Sequence, residues 1–268
     1  ATGVRFVDTT SGEEYEQPAD LVLLCAYPFS NTKLLLLSGI GAAYDPATGK
    51  GTVGKNYCYQ VTGQVQVFLE HEEINPFMAT GANAMNIDDW NGDNFDHEGL
   101  GFFGGALIFA SPTHGRPIMG RLTPPGTPRW GRAWKEATAK WYSHAFTIHA
   151  SGANFAHRHN YLDLDPTYRD KLGNPLVRMT YNFRDNDRKL SAFVTGKAVE
   201  IAKAMKPTIL GTPMPRRGNF HIVPYQSTHN TGGTIMGPDP KASVVNRYLQ
   251  SWEADNLFVI GASTFPQN

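Results

Sequence analysis

The stretch "YQSTHNTGGTIMGPDP" sets His229 and Asn230 in front of Gly232 and Gly233. An imidazole titrates at about pH 6.5 when unperturbed, so it can accept a hydroxyl proton near neutral pH. Glycines adopt backbone angles that other residues avoid, and they let a flat ligand lie close to the main chain. A proton acceptor beside a bare backbone is one way to build a site around a planar ligand. An ordinary Gly-Gly turn next to a structural histidine is the other reading of these residues.

Other groups offer less. "GLGFFG", Gly99 to Gly104, has the letters of a dinucleotide-binding fingerprint. That fingerprint needs a buried strand before it and a helix N-terminus after it, so that backbone amides meet a pyrophosphate. Here the polar "NGDNFDHE" precedes it and a strand-like "GALIFAS" follows, so a glycine-rich edge or bulge is expected instead. "DDWNGDN" resembles the start of a calcium loop, but Asn94 stands where the turn glycine belongs and Leu100 where the closing acid belongs. His157 and His159 in "HRH" would share a face if the segment is a strand, and no third ligand accompanies them. No metal is expected. Trp130, Trp134, Trp141 and Tyr142 surround a proline-rich loop. Such rings suit sugar faces and a core equally well.

Composition narrows the classes. The 268 residues are 41% hydrophobic and 18% charged, with 24 basic and 24 acidic residues. A packed core is expected, and nothing marks a nucleic-acid or anionic-membrane surface. The longest apolar run, Leu34 to Leu37, is far below the roughly 20 residues of a spanning helix. Two cysteines, Cys25 and Cys58, make neither a disulfide framework nor a cluster site.

The elements that must hold these residues follow two patterns. "ADLVLLCAY" reads as a strand buried on both faces. "SNTKLLLLSGIG" then reads as a helix capped by Ser30 or Asn31 and stopped by Gly39 and Gly41. Between Gly63 and Asn182 the strand candidates "GQVQVFLE", "GGALIFAS", "SHAFTIHASG", "HNYLDLD" and "LVRMTYNF" are short and turn-separated, which indicates an antiparallel sheet. Asp187 to Met205 shows an apolar stripe at helical spacing through Leu190, Phe193, Val194, Ala198, Ile201, Ala202 and Met205. "SVVNRYLQSW" predicts a further helix, and "NLFVIGAS" a buried strand turning at Gly261.

Taken together, several segments resemble the glucose–methanol–choline family of flavin oxidoreductases. "ADLVLLCAYPFSNTKLLLLSGIG" resembles its strand and leucine-rich helix. "VGKNYCYQ" resembles its V-G-x-N-L-x-D-H segment, with Tyr59 and Gln60 replacing the Asp-His pair. "HNTGGTIMGPDPKASVVNRYLQSWEADNLFVIGASTFPQN" resembles its C-terminal signature. Sugar, sugar-acid and polyol dehydrogenases that use an acceptor other than oxygen are the most similar members.

The resemblance implies a mixed fold, α/β and α+β. Residues 1–62 would belong to an FAD-binding α/β lobe. Residues 63–222 would form a substrate lobe with an antiparallel sheet flanked by helices, and residues 223–268 would return to the FAD lobe. It implies FAD in the complete protein, a small sugar or polyol substrate, and a cytochrome or small subunit as partner. A periplasmic location follows from it too. His229 would be the base. The family's H-x-x-G-T counted back from Gly233-Thr234 lands on Asn230, whereas H-x-x-G counted forward from His229 lands on Gly232. An amide cannot serve as a base, which favours His229, with Asn230 beside it. Gly261 and Ala262 match the position that faces FAD, with glycine in place of the usual aspartate. The family's N-terminal dinucleotide segment has no counterpart here, so the chain is expected to be a C-terminal fragment without a full FAD site and inactive alone. A non-catalytic carbohydrate-binding module is the alternative.

Overall fold

The computed structural model describes residues 1–74, 84–111, 122–222 and 228–268. Residues 225–227, which begin the histidine motif, lie outside the described residues. In chain order, a hairpin of β1 (Gly3–Val7) and β2 (Glu14–Pro18) precedes β3 (Val22–Leu24) and helix α1 (Pro28–Leu37). Next come β4 (Val61–Phe68), β5 (Met85–Ile87), β6 (Ala106–Ser111), helix α2 (Gly131–Trp141) and β7 (Ala145–Gly152). Strands β8 (Tyr161–Arg169) and β9 (Pro175–Thr180) lead to the long helix α3 (Asp185–Ala204). The described elements end with β10 (Ile209–Leu210), β11 (Leu257–Val259) and a 3-10 turn at Ala262–Thr264.

These elements form two compact units with boundaries that differ from the expected ones. The first comprises Ala1–Tyr59, Asn154–Asn182 and Phe220–Asn268, the second Gln60–Ala153 and Phe183–Asn219. The hairpin β8–β9, expected in the antiparallel lobe, packs in the first unit. Its Leu162 amide donates to the Gly54 carbonyl at 2.8 Å, and Lys33 on α1 meets Asp170 at 2.7 Å.

In the first unit β3 and β11 pair in parallel, Val22 opposite Leu257. Leu35, Val53, Val244, Val245, Leu257 and Val259 form its core. The strand is shorter and less covered than the apolar run predicts, with Leu21 53% and Leu23 56% exposed. Helix α1 also starts earlier than expected. Pro28 takes its first turn, where a missing N–H costs nothing, and Asn31 is inside the helix, buried, rather than at its cap. No helix forms over Ser243–Trp252. Asn246 Oδ1 accepts from the amides of Tyr248 at 2.8 Å and Gln250 at 3.2 Å. These local bonds compete with helical ones, and the segment makes isolated bridges instead, Val245 with Met236 and Ser251.

The second unit is built on the antiparallel sheet β10-β4-β7-β6-β5. The alternation in "GQVQVFLE" holds for Val65, Val67 and Leu69, which are buried on one face together with Val61, while Phe68 is buried on the other. Helix α3 covers the valine face with Leu190, Val194, Ala198 and Ala202. Asp187 accepts the Arg184 amide at 2.7 Å and so satisfies the helix start. Gly63 is needed for close approach, since a Cβ there would stand 2.1 Å from Thr195 Oγ1.

Candidate active site

The site is assembled by chain segments far apart in sequence, all in the first unit. The stretch after His229 runs between two neighbours. On one side Thr231 and Cys58 exchange backbone hydrogen bonds of 3.0 and 3.1 Å, and Gly233 bonds to Gly54 and Lys55. On the other, the amides of Gly232, Thr234 and Met236 donate to the carbonyls of Ala262, Ser263 and Thr264. The expected base and the expected FAD-facing turn are therefore laced together by main-chain bonds.

His229 is exposed and sits at φ 62, in the left-handed region. Its carbonyl accepts from Asn268 Nδ2 at 2.5 Å. Asn230, the other candidate, is only 2% exposed. The Tyr57 hydroxyl donates to its Oδ1 at 2.5 Å, and its Nδ2 donates to the Tyr27 hydroxyl. The two neighbouring residues thus divide the work that chemistry allows them. The imidazole is accessible to a ligand, while the amide is a buried tie between two phenols.

Tyr57 and Tyr27 were not singled out from the sequence. Tyr57 stands where the V-G-x-N-L pattern has leucine, and that departure was the available signal. Its ring packs on Phe29 at 5.4 Å and edge-on to Tyr181 at 5.6 Å. Tyr181 in turn meets Tyr59 and Phe220. Such edge-to-face stacking fixes ring positions, so the Tyr57 hydroxyl is held toward Asn230. Tyr27 sits at φ 83, an unusual angle for a bulky residue.

The glycines carry a different role from the one expected. A Cβ on Gly232 would stand 1.9 Å from the Asn56 carbonyl oxygen, and one on Gly233 2.4 Å from Thr32 Oγ1. Both glycines make way for the protein's own chain and not for a flat ligand. Gly261 is the open one. It has φ 109, and a Cβ there would meet nothing within 4 Å. Asn31 holds this turn from beneath, donating to the Ile260 carbonyl at 3.3 Å and Ser263 Oγ at 2.8 Å.

The other candidates resolve as follows. His157 and His159 lie in irregular chain and a turn, not on a strand. Among the described residues no group of His, Cys, Asp and Glu could hold a metal ion. "GLGFFG" is a turn ahead of β6. Trp141 is core, packed edge-on to Phe68 at 5.3 Å, whereas Trp130 is 83% exposed. In the second unit, the sheet face opposite α3 carries polar groups that the sequence reading left aside. Gln64 is paired with His149 and Gln66 with Thr147, and the His149 ring stacks on Phe109 at 5.2 Å. The alternation that buries the valines of β4 puts these residues on the other side.

The chain is similar in sequence and fold to known proteins. The chain is 47% identical over its full length to the gluconate 2-dehydrogenase flavoprotein of Pantoea cypripedii, of which it covers 44%. It is 25% identical over 98% of its length to the 2-methyl-1,2-propanediol dehydrogenase of Mycolicibacterium austroafricanum, covering 47% of that protein. Half of it is 32% identical to 23% of the fructose dehydrogenase large subunit of Gluconobacter japonicus. The chain thus spans about half the length of the first two relatives. The crystal structure of pyridoxine 4-oxidase from Mesorbium loti has the same fold over the whole chain, with a TM-score of 0.55 at 14% identity, and the match covers 50% of that chain. Residues 156–268 match the family described as GMC oxidoreductase. With that match, and with the 47% identity of the whole chain to part of one flavoprotein, the chain is similar to the GMC oxidoreductases, and its residues 156–268 carry their C-terminal domain.

Proposed function

We propose that this chain is part of an FAD-dependent oxidoreductase that oxidises an alcohol group of a sugar, sugar acid or polyol, with His229 as base. The names of three relatives, two of them sugar or sugar-acid dehydrogenases and one a diol dehydrogenase, support that substrate class. The carrying observation is the hydrogen-bonded seam between the His229 motif and the Gly261–Thr264 turn. It supports a site in which the imidazole and the open glycine turn serve one bound group.

FAD, when bound, supplies the hydride acceptor. Gly261 and Ala262 fit a contact with it, because the space over Gly261 is clear and its φ of 109 turns the chain there. His229 accepts the substrate hydroxyl proton at an imidazole nitrogen, which concentrates charge on the alcohol oxygen and weakens the adjacent C–H bond. Asn230 is a positioning residue. Its amide, tied to Tyr57 and Tyr27, fixes the backbone from which the imidazole projects. The same reading gives the complete protein a cytochrome or small subunit as partner and a periplasmic location. One relative's name, "large subunit", supports the first.

The test uses the full-length protein. His229→Ala should retain flavin and lower kcat for alcohol oxidation by about 10²–10⁴-fold, the usual worth of a general base. Turnover equal to the parent protein would remove His229 from the mechanism.

A further inference from the structure

The second unit holds a cleft of about 530 Å³ between α3 and residues 213–218. We propose that this cleft binds an organic oxyanion carried on an apolar stem. It uses none of the residues assigned to alcohol oxidation and so goes beyond that reading.

Its wall is rigid. The Gly211 amide donates to the Gln66 carbonyl at 2.8 Å and that of Met214 to the Gln64 carbonyl at 2.9 Å, so the segment runs along the edge of β4. The Arg216 amide then donates to Ser191 Oγ at 2.8 Å. Ser191, fully buried on α3, itself donates to the Thr62 carbonyl at 2.6 Å. Arg216 is thereby anchored to both helix and sheet.

Three arginines and no acid line the cleft. Arg188 is already engaged, with Asp185 at 3.0 Å and the Gly218 carbonyl at 2.8 Å. Arg216 and Arg217 make no ion pair among the described residues. Arg216 has a buried Nε without a hydrogen-bond acceptor, and its guanidinium lies 5.7 Å over the Phe183 ring. A guanidinium fork is the group that pairs with a carboxylate or phosphate through two parallel bonds.

The floor is apolar. Ala192, Gly196 and Val199 line the cleft at i, i+4 and i+7, hence on one helix face about 10 Å long. Glycine is a poor residue for a helix interior, and no packing demands it at 196, since a Cβ there would meet nothing within 4 Å. Its effect is to keep the floor open.

Titration calorimetry on the full-length flavin-loaded protein at low ionic strength tests this, with n-octanoate and n-octyl phosphate as probes. Saturable binding of either probe is expected, with 1-octanol and acetate each at least tenfold weaker. Arg216→Met and Gly196→Leu should each weaken the probe at least tenfold while flavin content and alcohol oxidation persist. Should either variant lose its flavin or fold, Arg217→Glu, at an exposed position, gives the same readout. No saturable binding, or equal affinity in the parent and the folded variants, overturns the proposal.

Discussion

Asn230 shows how one buried amide orders a site. A buried carboxamide needs partners for both ends, or its desolvation is uncompensated. Tyr57 and Tyr27 supply them, and the price is that three residues from different segments must arrive together. Replacing Tyr57 by Phe removes the hydroxyl that donates to Asn230 Oδ1 and should cost about 1–3 kcal/mol. Thermal unfolding of the full-length protein would read this as a lower Tm. An unchanged Tm would mean that the phenol does not support the amide. Gly232 and Gly233 teach the same lesson from the backbone side. Glycine-rich sequence next to a catalytic candidate invites a ligand interpretation, yet the space they vacate is filled by Asn56 and Thr32.

At the scale of elements, α3 and β4 were legible because their periods are regular. Of the expected stripe, Leu190, Val194, Ala198 and Ala202 are fully buried, Phe193 and Ile201 are partly buried against the same core, and Met205, past the end of the helix, is exposed. Leu190→Ala would open a cavity against Val61 and its sheet neighbours and should destabilise by about 2–5 kcal/mol. Urea denaturation checks this, and a loss below 1 kcal/mol would contradict the packing. The segment Ser243–Trp252 failed as a helix for an equally specific reason. Asn246 satisfies the amides of Tyr248 and Gln250 with its own side chain, and Leu249 turns left-handed at φ 65. Apolar spacing alone does not reveal that competition.

At the scale of the molecule, hairpin β8–β9 joins the first unit partly through the ion pair of Lys33 and Asp170. The Lys33 ammonium holds the Asp170 carboxyl below the ordinary carboxylate range. Hydrogen bonds to backbone amides lower Asp8 and Asp165 likewise, and Lys140 lowers Glu70. Each of these groups binds its proton less readily folded than unfolded. Their stabilisation is therefore full above the unfolded carboxylate value of about 4 and is lost as pH falls through the lower folded value. The Tm should drop on acidification from pH 5 to pH 3. Asp170→Asn should lower the Tm at pH 7 and reduce the difference between pH 7 and pH 3. A pH dependence identical to the parent would remove this pair from the account. The two-stranded parallel ladder of β3 and β11, with Leu21 and Leu23 exposed, is in keeping with a chain that spans about half of its relatives, because parallel strands are ordinarily covered on both faces.

The sequence by itself determined what repeats or recurs locally. The period of β4 and α3, the glycine turn at 261 and the run of motifs that resemble those of the GMC oxidoreductases are all properties of adjacent residues. Tertiary structure alone decided which of His229 and Asn230 is accessible, what the glycines make room for, and which unit takes residues 154–182. Those outcomes depend on partners such as Tyr57, 173 positions from Asn230. Residue spacing carries no information about a contact until the chain closes the loop between its members.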